Sequence, residues 1–138
     1  MIKKTVLTIL VLVCIAGGVG AYLYFKPAKS YHHATPDITL EAGEIVCDFT
    51  SDENTANAKY LNKVIEVHGT VKDISQDEKG LTSVNLGVLN QVAMVSCSMD
   101  SNVTESYSSL AIGDKVKIKG LCSGMLMDVV LVKCVLVK

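Results

Sequence analysis

The pattern of apolar and polar positions divides this chain into two unlike parts. Residues 5–25 form an apolar run without a charged side chain, directly after Lys3 and Lys4. About 20 apolar helical residues span the hydrocarbon core of a bilayer, so the run predicts a membrane segment. Beyond it, a polar stretch leads into five short segments in which apolar and polar residues alternate. That two-residue period is typical of half-buried β-strands.

The membrane segment has three interpretations. An uncleaved signal-anchor over residues 1–25 is favoured, because aromatic rings cluster at the far end of the run, where they suit the bilayer interface. A signal peptide cleaved near residues 19–21 is an alternative. A lipoprotein signal ending at Cys14 is the third, although Val13 stands where such a signal needs a small residue. The lysines before the run favour a cytoplasmic N-terminus, which predicts a single-pass protein of the bacterial inner membrane with a periplasmic domain.

The polar stretch contains a linker and a short helical region. Both prolines fall within residues 26–37, which are predicted to be a linker. The remainder, residues 38–138, is predicted to be one domain. Thr39 is predicted as the N-cap of an amphipathic helix that runs to about Phe49, and Asp52 as the cap of a second helical turn. We expect these helices to cover one opening of a β-barrel.

The alternating segments predict five strands, at 64–74, 81–87, 92–99, 115–121 and 127–137. Residues 102–110, between the third and fourth strands, are predicted to form a helical turn or a loop. Gly69 and Gly120 lie inside strands, where a glycine lets the strand bend or another group approach closely. The order of three strands, a short helix and two strands is that of the OB-fold. The predicted fold class is therefore all-β with short helices, a five-stranded OB-fold-like Greek-key barrel behind an N-terminal transmembrane helix.

Three segments carry a resemblance to a known family. They are YLNKVIEVHGTV at 60–71, GDKVKIKG at 113–120 and LMDVVLVKC at 126–134, and they resemble the bacterial OB-fold family labelled tRNA_anti-like. The resemblance extends over about residues 40–138. Members of that family are often small exported or membrane-anchored proteins of unassigned function. The resemblance implies an OB barrel and supplies no catalytic residue, and because the fold hosts many ligands it gives only weak support to nucleic-acid binding.

The charge of the domain counts against a nucleic-acid site. The chain has no arginine, and the part beyond residue 25 has 11 lysines and 14 acidic residues. Nucleic-acid-binding domains draw much of their affinity from clustered cations, and OB-folds add stacking aromatic rings. The predicted second and third strands, 81–87 and 92–99, contain no aromatic residue, Lys or Arg. Single-stranded nucleic acid is therefore an alternative ligand and not the main hypothesis.

Three cysteines are predicted to face the interior of the barrel. Cys97, Cys122 and Cys134 share the phase of apolar neighbours, which for Cys134 are Val130 and Val132. Inward thiols can form a disulfide in an oxidising compartment or bind a soft metal. They can also act as small buried hydrophobic residues. The sequence leaves these alternatives and the connectivity open.

Charged residues of the last two strands are further candidates. Lys115, Lys117 and Lys119 fall on one face of the fourth strand. They are a possible contact surface for anionic lipid head groups or another polyanion, although an ordinary solvated face is the favoured interpretation. Asp128 is predicted to accept a hydrogen bond from the turn at 123–124 instead of lying unpaired inside the barrel.

The functional hypothesis follows from location and fold. No catalytic triad, glycine-rich phosphate loop or zinc motif is present in the sequence, so we predict neither an enzyme nor a resident cofactor or metal. The main hypothesis is a membrane-anchored, non-catalytic binding module of the cell envelope that contacts an envelope protein or a small ligand. Oligonucleotide binding is the first alternative. A thiol, disulfide or soft-metal site at the inward cysteines is the second.

Overall fold

The computed structural model describes residues 14–15, 17–22, 31, 33–78, 80–87, 92–101 and 109–137. Most of the predicted anchor and most of the predicted turn at 102–110 lie outside the described residues. The described pieces of the N-terminal run are helical. Within the described ranges, no helix is long and apolar enough to cross a membrane.

The described part of the domain contains six strands and two helices, and it includes the five strands that the alternation predicts. In chain order the elements are β1 (Ile38–Glu41), α1 (Ala42–Ser51), α2 (Glu53–Tyr60), β2 (Val64–Gln76), β3 (Thr82–Gly87), β4 (Val95–Met99), β5 (Lys115–Met125) and β6 (Val129–Val137).

The sheet closes on itself as a five-stranded barrel. Its order is β1-β2-β3-β4-β6-β5, and an additional pairing between β2 and β5 closes it. The first half of β2 pairs with β5 and the second half with β3, while β4 and β6 pair in parallel. This connectivity is that of an OB-fold, so the predicted barrel is confirmed. The short strand β1 adds to β2 in parallel and was not predicted.

The first helix begins two residues later than predicted. Glu41 is the N-cap, and its backbone N–H donates to Glu44 Oε2 at 3.0 Å, which completes a capping box. The prediction of Thr39 as the cap is wrong, because Thr39 lies in β1 opposite Glu66. The helix ends at Ser51, close to the predicted end at Phe49.

The second helix has the predicted cap, since the Asp52 carboxylate accepts from the backbone N–H groups of Asn54 and Thr55 at 3.1 and 3.2 Å. The hydroxyl of Thr55, which donates at 2.6 Å, lowers the pKa of Asp52 below its usual 3.8. A lowered folded-state pKa means that the cap contributes stability above pH 3.8, and that this contribution is lost as the pH falls through the folded-state pKa. We expect Asp52→Ala to lower Tm by a few degrees at neutral pH, and the gap to the wild type to shrink in strong acid. A gap that is constant with pH in thermal unfolding would contradict this.

The interior of the barrel is apolar, and the helices contribute to it. Ile65, Val67 and Val71 of β2 are fully buried, as their predicted phase requires. Apolar residues of α1, among them Ile45 and Phe49, join the same buried cluster. Because α1 contacts β1, β2, β3 and β6, it lies across one opening of the barrel, as expected.

Three β-bulges interrupt the alternation. On β5, Cys122 pairs with Leu131 but Gly124 pairs with Val130, so Ser123 is an extra residue. On β2, Val71 pairs with Leu86 but Asp73 pairs with Asn85, so Lys72 is an extra residue. On β6, the pairing with β4 and the pairing with β5 each shift by one residue. Lys133 lies within both shifts and is therefore the extra residue. Lys133 also has a positive φ of 53°, a strained conformation that is typical of bulges. Each bulge reverses the phase of the strand beyond it.

The segment before β1 is fixed to the start of β2. The backbone N–H of Asp37 donates to the carbonyl of Val64 at 2.8 Å, and the Asp37 carboxylate accepts from the Val64 N–H at 2.9 Å. Lys119 Nζ donates to the carbonyl of Ala34 at 2.7 Å. The end of the predicted linker 26–37 therefore packs against the barrel.

Candidate ligand-binding face

The outer surface of β3 and β4 carries a row of small polar side chains. Ser83 lies opposite Ser98, and Asn85 lies opposite Ser96. Their neighbours along the strands point inwards and are fully buried, so the strand alternation places these four on the outside. We call these four residues the polar face.

A lysine at the bulge on β2 lies against this face. A Cβ atom built on Gly87 would lie 1.8 Å from Lys72 Cγ and 2.7 Å from its Cε. The aliphatic stem of Lys72 therefore crosses β3 at Gly87, directly beside the polar face. A larger residue at position 87 would displace that stem.

The bulge on β6 places a second lysine at the opposite corner. Lys133 lines a cleft of about 290 Å³ together with Ser98, Asp100 and Val132. Asp100 is buried at the rim of the cleft. Since the cleft shares Ser98 with the polar face, the two surfaces are continuous.

An unpaired acceptor lies in the centre of the polar face. Asn85 Nδ2 donates to Asp73 Oδ2 at 3.3 Å, whereas Asn85 Oδ1 is buried and has no hydrogen-bond partner among the residues that the structure describes. A buried carbonyl oxygen without a donor costs about 1–3 kcal/mol. A ligand that displaces the groups covering this atom and brings an N–H or O–H group would satisfy it.

The charges around this face are mixed. Lys72 and Lys133 stand at its corners, while Asp73 and Asp100 lie beside them. A surface of this kind has no strong net field, so it suits a polar ligand with groups of both signs better than a polyanion.

The three lysines predicted on the fourth strand do not form one exposed surface. Lys115 and Lys117 are exposed and line a second groove, of about 330 Å³, together with Glu41 and His68. Lys119 is only 8% exposed because the segment before β1 covers it. The prediction of a solvated face is thus correct for Lys115 and Lys117 and wrong for Lys119.

The second groove is lined by charges of both signs. His68 Nε2 lies 2.9 Å from Glu66 Oε1, and His68 Nδ1 lies 3.7 Å from Glu41 Oε1. The carboxylate of Glu41 thus lines the groove together with the two exposed lysines, Lys115 and Lys117. This arrangement weakens the attraction of the groove for an anion.

The cysteines face the interior, as predicted. Cys97, Cys122 and Cys134 are fully buried and are unpaired thiols. Cys134 shares its phase with Val129 and Leu131, both fully buried, and not with the predicted Val130 and Val132, because the bulge at Lys133 shifts the register.

Burial keeps the thiols of Cys122 and Cys134 protonated. It raises the pKa of Cys122, and burial together with the neighbouring Cys97 thiol raises that of Cys134 well above its usual value. Neutral thiols pack as small hydrophobic groups and are poor metal ligands. Among the described residues, no group of three or more His, Cys, Asp and Glu side chains is placed to hold a metal ion. A disulfide among the three cysteines stays a prediction.

The Asp128 carboxylate has a different partner from the predicted turn at 123–124. It accepts from the backbone N–H of Met94 at 2.8 Å. This bond ties the β5–β6 hairpin tip to the residues before β4. The expectation that Asp128 is hydrogen-bonded is correct, but the partner is Met94, just before β4.

Comparisons with known proteins agree with the fold. The model of the family described as tRNA_anti-like matches residues 1–136, and no curated protein matches the sequence. A crystal structure of a proposed nucleic acid-binding lipoprotein from Klebsiella pneumoniae is similar, with a TM-score of 0.61 and 18% identity over 72% of this chain and 91% of that one. A crystal structure of yeast Stn1 and Ten1 aligns with a TM-score of 0.47 and 14% identity over 79% of this chain and 66% of that one.

Proposed function

The chain belongs to the tRNA_anti-like family, and from that premise we propose that it is a non-catalytic OB-fold binding module of the cell envelope. In this proposal the N-terminal segment holds the protein at the bacterial inner membrane and the barrel lies in the periplasm. The polar face is the ligand site. The ligand is a small polar molecule or a polar segment of an envelope protein.

The observation that carries the proposal is the unpaired Asn85 Oδ1 at the centre of the polar face. The outer surface of the second and third barrel strands is where OB-folds hold their ligands. A ligand N–H or O–H group that donates to Asn85 removes the cost of the buried, unpaired oxygen, so binding and the stability of the barrel reinforce one another.

The neighbouring groups define the chemistry of the ligand. The serine hydroxyls of the polar face both donate and accept. Lys133 at one corner attracts an anionic group, while Asp73 disfavours a second negative charge next to Asn85. A ligand with several hydrogen-bonding groups and at most one negative charge fits these positions.

Membrane attachment is supported by the sequence alone. The run at residues 5–25 has the length and the lack of charge of a membrane segment, and two lysines precede it. A C-terminal reporter fusion that is active only outside the cytoplasm tests the proposed orientation. Activity of a reporter that works only inside the cytoplasm would overturn it.

Site-specific photo-crosslinking in intact cells tests the ligand site. A photoreactive residue in place of Ser98 should give a discrete adduct, whereas the same residue in place of Ser51, which is exposed at the end of α1, should give none. Adding Asn85→Leu should reduce the adduct about tenfold, the effect of losing one buried hydrogen bond. Equal adducts from both positions, or none from either, would overturn the proposed site.

Oligonucleotide binding is the competing function. β3 and β4 contain no cationic side chain, but Lys72 and Lys133 place cations beside them that could contact phosphates. Fluorescence anisotropy with labelled single-stranded DNA and RNA at low salt separates the two functions. We expect affinities weaker than about 10⁻⁶ M and no change on replacing both lysines with glutamine. Tighter binding with a steep salt dependence, lost in the glutamine variant, would favour the oligonucleotide.

A further inference from the structure

Large apolar side chains are exposed at one end of the barrel. Leu61, Val92, Leu126 and Met127 are 40%, 98%, 92% and 86% exposed. We call these four residues the apolar rim. In the described part of the domain, only two other large apolar residues are exposed, and one of them, Ile112, lies at the opposite end, beside the start of β5.

Hydrogen bonds and packing hold the rim together. Leu126 and Met127 form the tip of the β5–β6 hairpin, and the bond from Met94 N–H to Asp128 joins this tip to the segment that carries Val92. Leu61, after α2, packs against the same hairpin, since its Cδ1 lies 3.6 Å from the Cβ position of Gly124. The rim is therefore a fixed feature of the described surface.

The chain enters the barrel at the same end. Asp37 pairs with Val64 at the start of β2, and Val64 lies opposite Leu121 near the end of β5. β5 continues from there into the hairpin tip. Because β1 runs parallel to β2, the segment that precedes it leaves the barrel on the side of the rim.

The tether between bilayer and barrel is short. Ala34, whose carbonyl accepts from Lys119, lies nine positions after residue 25, where the apolar run ends. Fully extended, nine residues reach about 30 Å. A tether of this length keeps the barrel close to the bilayer when residues 5–25 are in the membrane, and the end at which the chain enters is the end nearest to the tether.

We propose that the apolar rim is a second membrane contact, with Leu126, Met127 and Val92 inserted into the lipid interface. Side chains of this kind gain free energy on leaving water for the interface. The one carboxylate at the hairpin tip, on Asp128, accepts from Met94. Lys63, two residues after Leu61, can approach anionic head groups. The inference rests on the proposed membrane attachment and adds a fixed orientation of the barrel.

Single-tryptophan fluorescence of the full chain tests this contact, because the sequence contains no tryptophan. Met127→Trp and the control Ile112→Trp are reconstituted into vesicles of phosphatidylethanolamine and phosphatidylglycerol with brominated acyl chains. We expect blue-shifted, bromine-quenched emission from Met127→Trp. The control should emit as in water and be quenched by aqueous acrylamide instead.

Each outcome decides between the two proposals. If the protein floats with the vesicles and both tryptophans behave as in water, the rim contact is wrong while membrane attachment stands. If the protein does not float, the attachment fails and the rim contact with it. A double variant, Leu126→Ser with Met127→Ser, should leave flotation intact and increase the acrylamide quenching of a tryptophan at Val92 at least twofold. No increase would contradict the inference.

Discussion

Replacing Tyr60 with alanine is expected to lower the free energy of unfolding by about 3–5 kcal/mol, the usual loss for a large buried ring. Tyr60 is 1% exposed, and its ring packs against Phe49 with centroids 5.9 Å apart. It thus joins α2 to α1, the helix that covers the opening of the barrel. Since small domains are stable by about 5–15 kcal/mol, the variant should be partly unfolded at 37 °C. Urea denaturation followed by far-UV circular dichroism measures the loss.

Tyr60→Phe separates packing from the hydroxyl. The Tyr60 hydroxyl donates to Asp48 Oδ2, which also accepts from Lys59 Nζ at 2.8 Å. We expect Tyr60→Phe to cost only about 1 kcal/mol. Losses of similar size in the two variants would show that the hydroxyl, and not the ring, holds the helices together.

The same pair of variants predicts a pH dependence. Burial and the bond to Asp48 raise the pKa of Tyr60 above its usual 10.0. The protonated phenol therefore contributes stability that is fully present below pH 10 and is lost as the pH rises through the folded-state pKa. Tyr60→Phe should remove this alkaline loss, and a variant that keeps it would point to another group.

Gly120→Ala is expected to destabilise the barrel by about 1–3 kcal/mol, as overpacking of a closed core does. A Cβ atom at this position would lie 2.5 Å from Cys134 Sγ and 3.1 Å from the carbonyl oxygen of Val132. The backbone of β6 cannot move away without breaking its ladder with β4. Chemical denaturation of wild type and variant measures the difference.

A second substitution tests that explanation. Cys134→Ala alone should cost about 1–2 kcal/mol, because it removes a buried sulfur. In the double variant the new methyl group occupies the space of the lost sulfur, so we expect a loss smaller than the sum of the two single losses. Additive losses would show that the strain comes from the Val132 carbonyl and not from Cys134.

The barrel is predictable from the sequence because its strands repeat one simple pattern. In β2, alternate residues from Ile65 to Val71 are apolar. Each of the other barrel strands contains at least a short stretch of the same alternation. Closure needs no further information, since a twisted five-stranded sheet with these connections buries its apolar side only by closing. β1 escapes prediction because its four residues, Ile38–Glu41, are too few to show a period.

The candidate site is less predictable, because it depends on two inserted residues. Nothing in the local sequence distinguishes Lys72 or Lys133 from a lysine on an ordinary solvated strand. Only the pairing with the neighbouring strands reveals that Lys72 and Lys133 are extra residues and that Asp73 therefore lies beside Asn85. The same insertion changes the partners of Cys134. Asn85 is visible in the sequence as a polar residue between Val84 and Leu86, but its unpaired oxygen is a property of the folded state.

The parallel addition of β1 to β2 determines how the domain responds to a mechanical load from the bilayer side. A pull on Asp37 acts along the axis of β1, so the hydrogen bonds from Ile38 to Glu41 are strained together in shear and do not open one after another. The bond from Lys119 to the carbonyl of Ala34 meets the force first, and the bonds of Asp37 to Val64 follow. In a protein tethered through residues 5–25, thermal undulation of the membrane would pull on β1 along the direction in which its hydrogen bonds resist force best. The strands of the barrel would then keep their register.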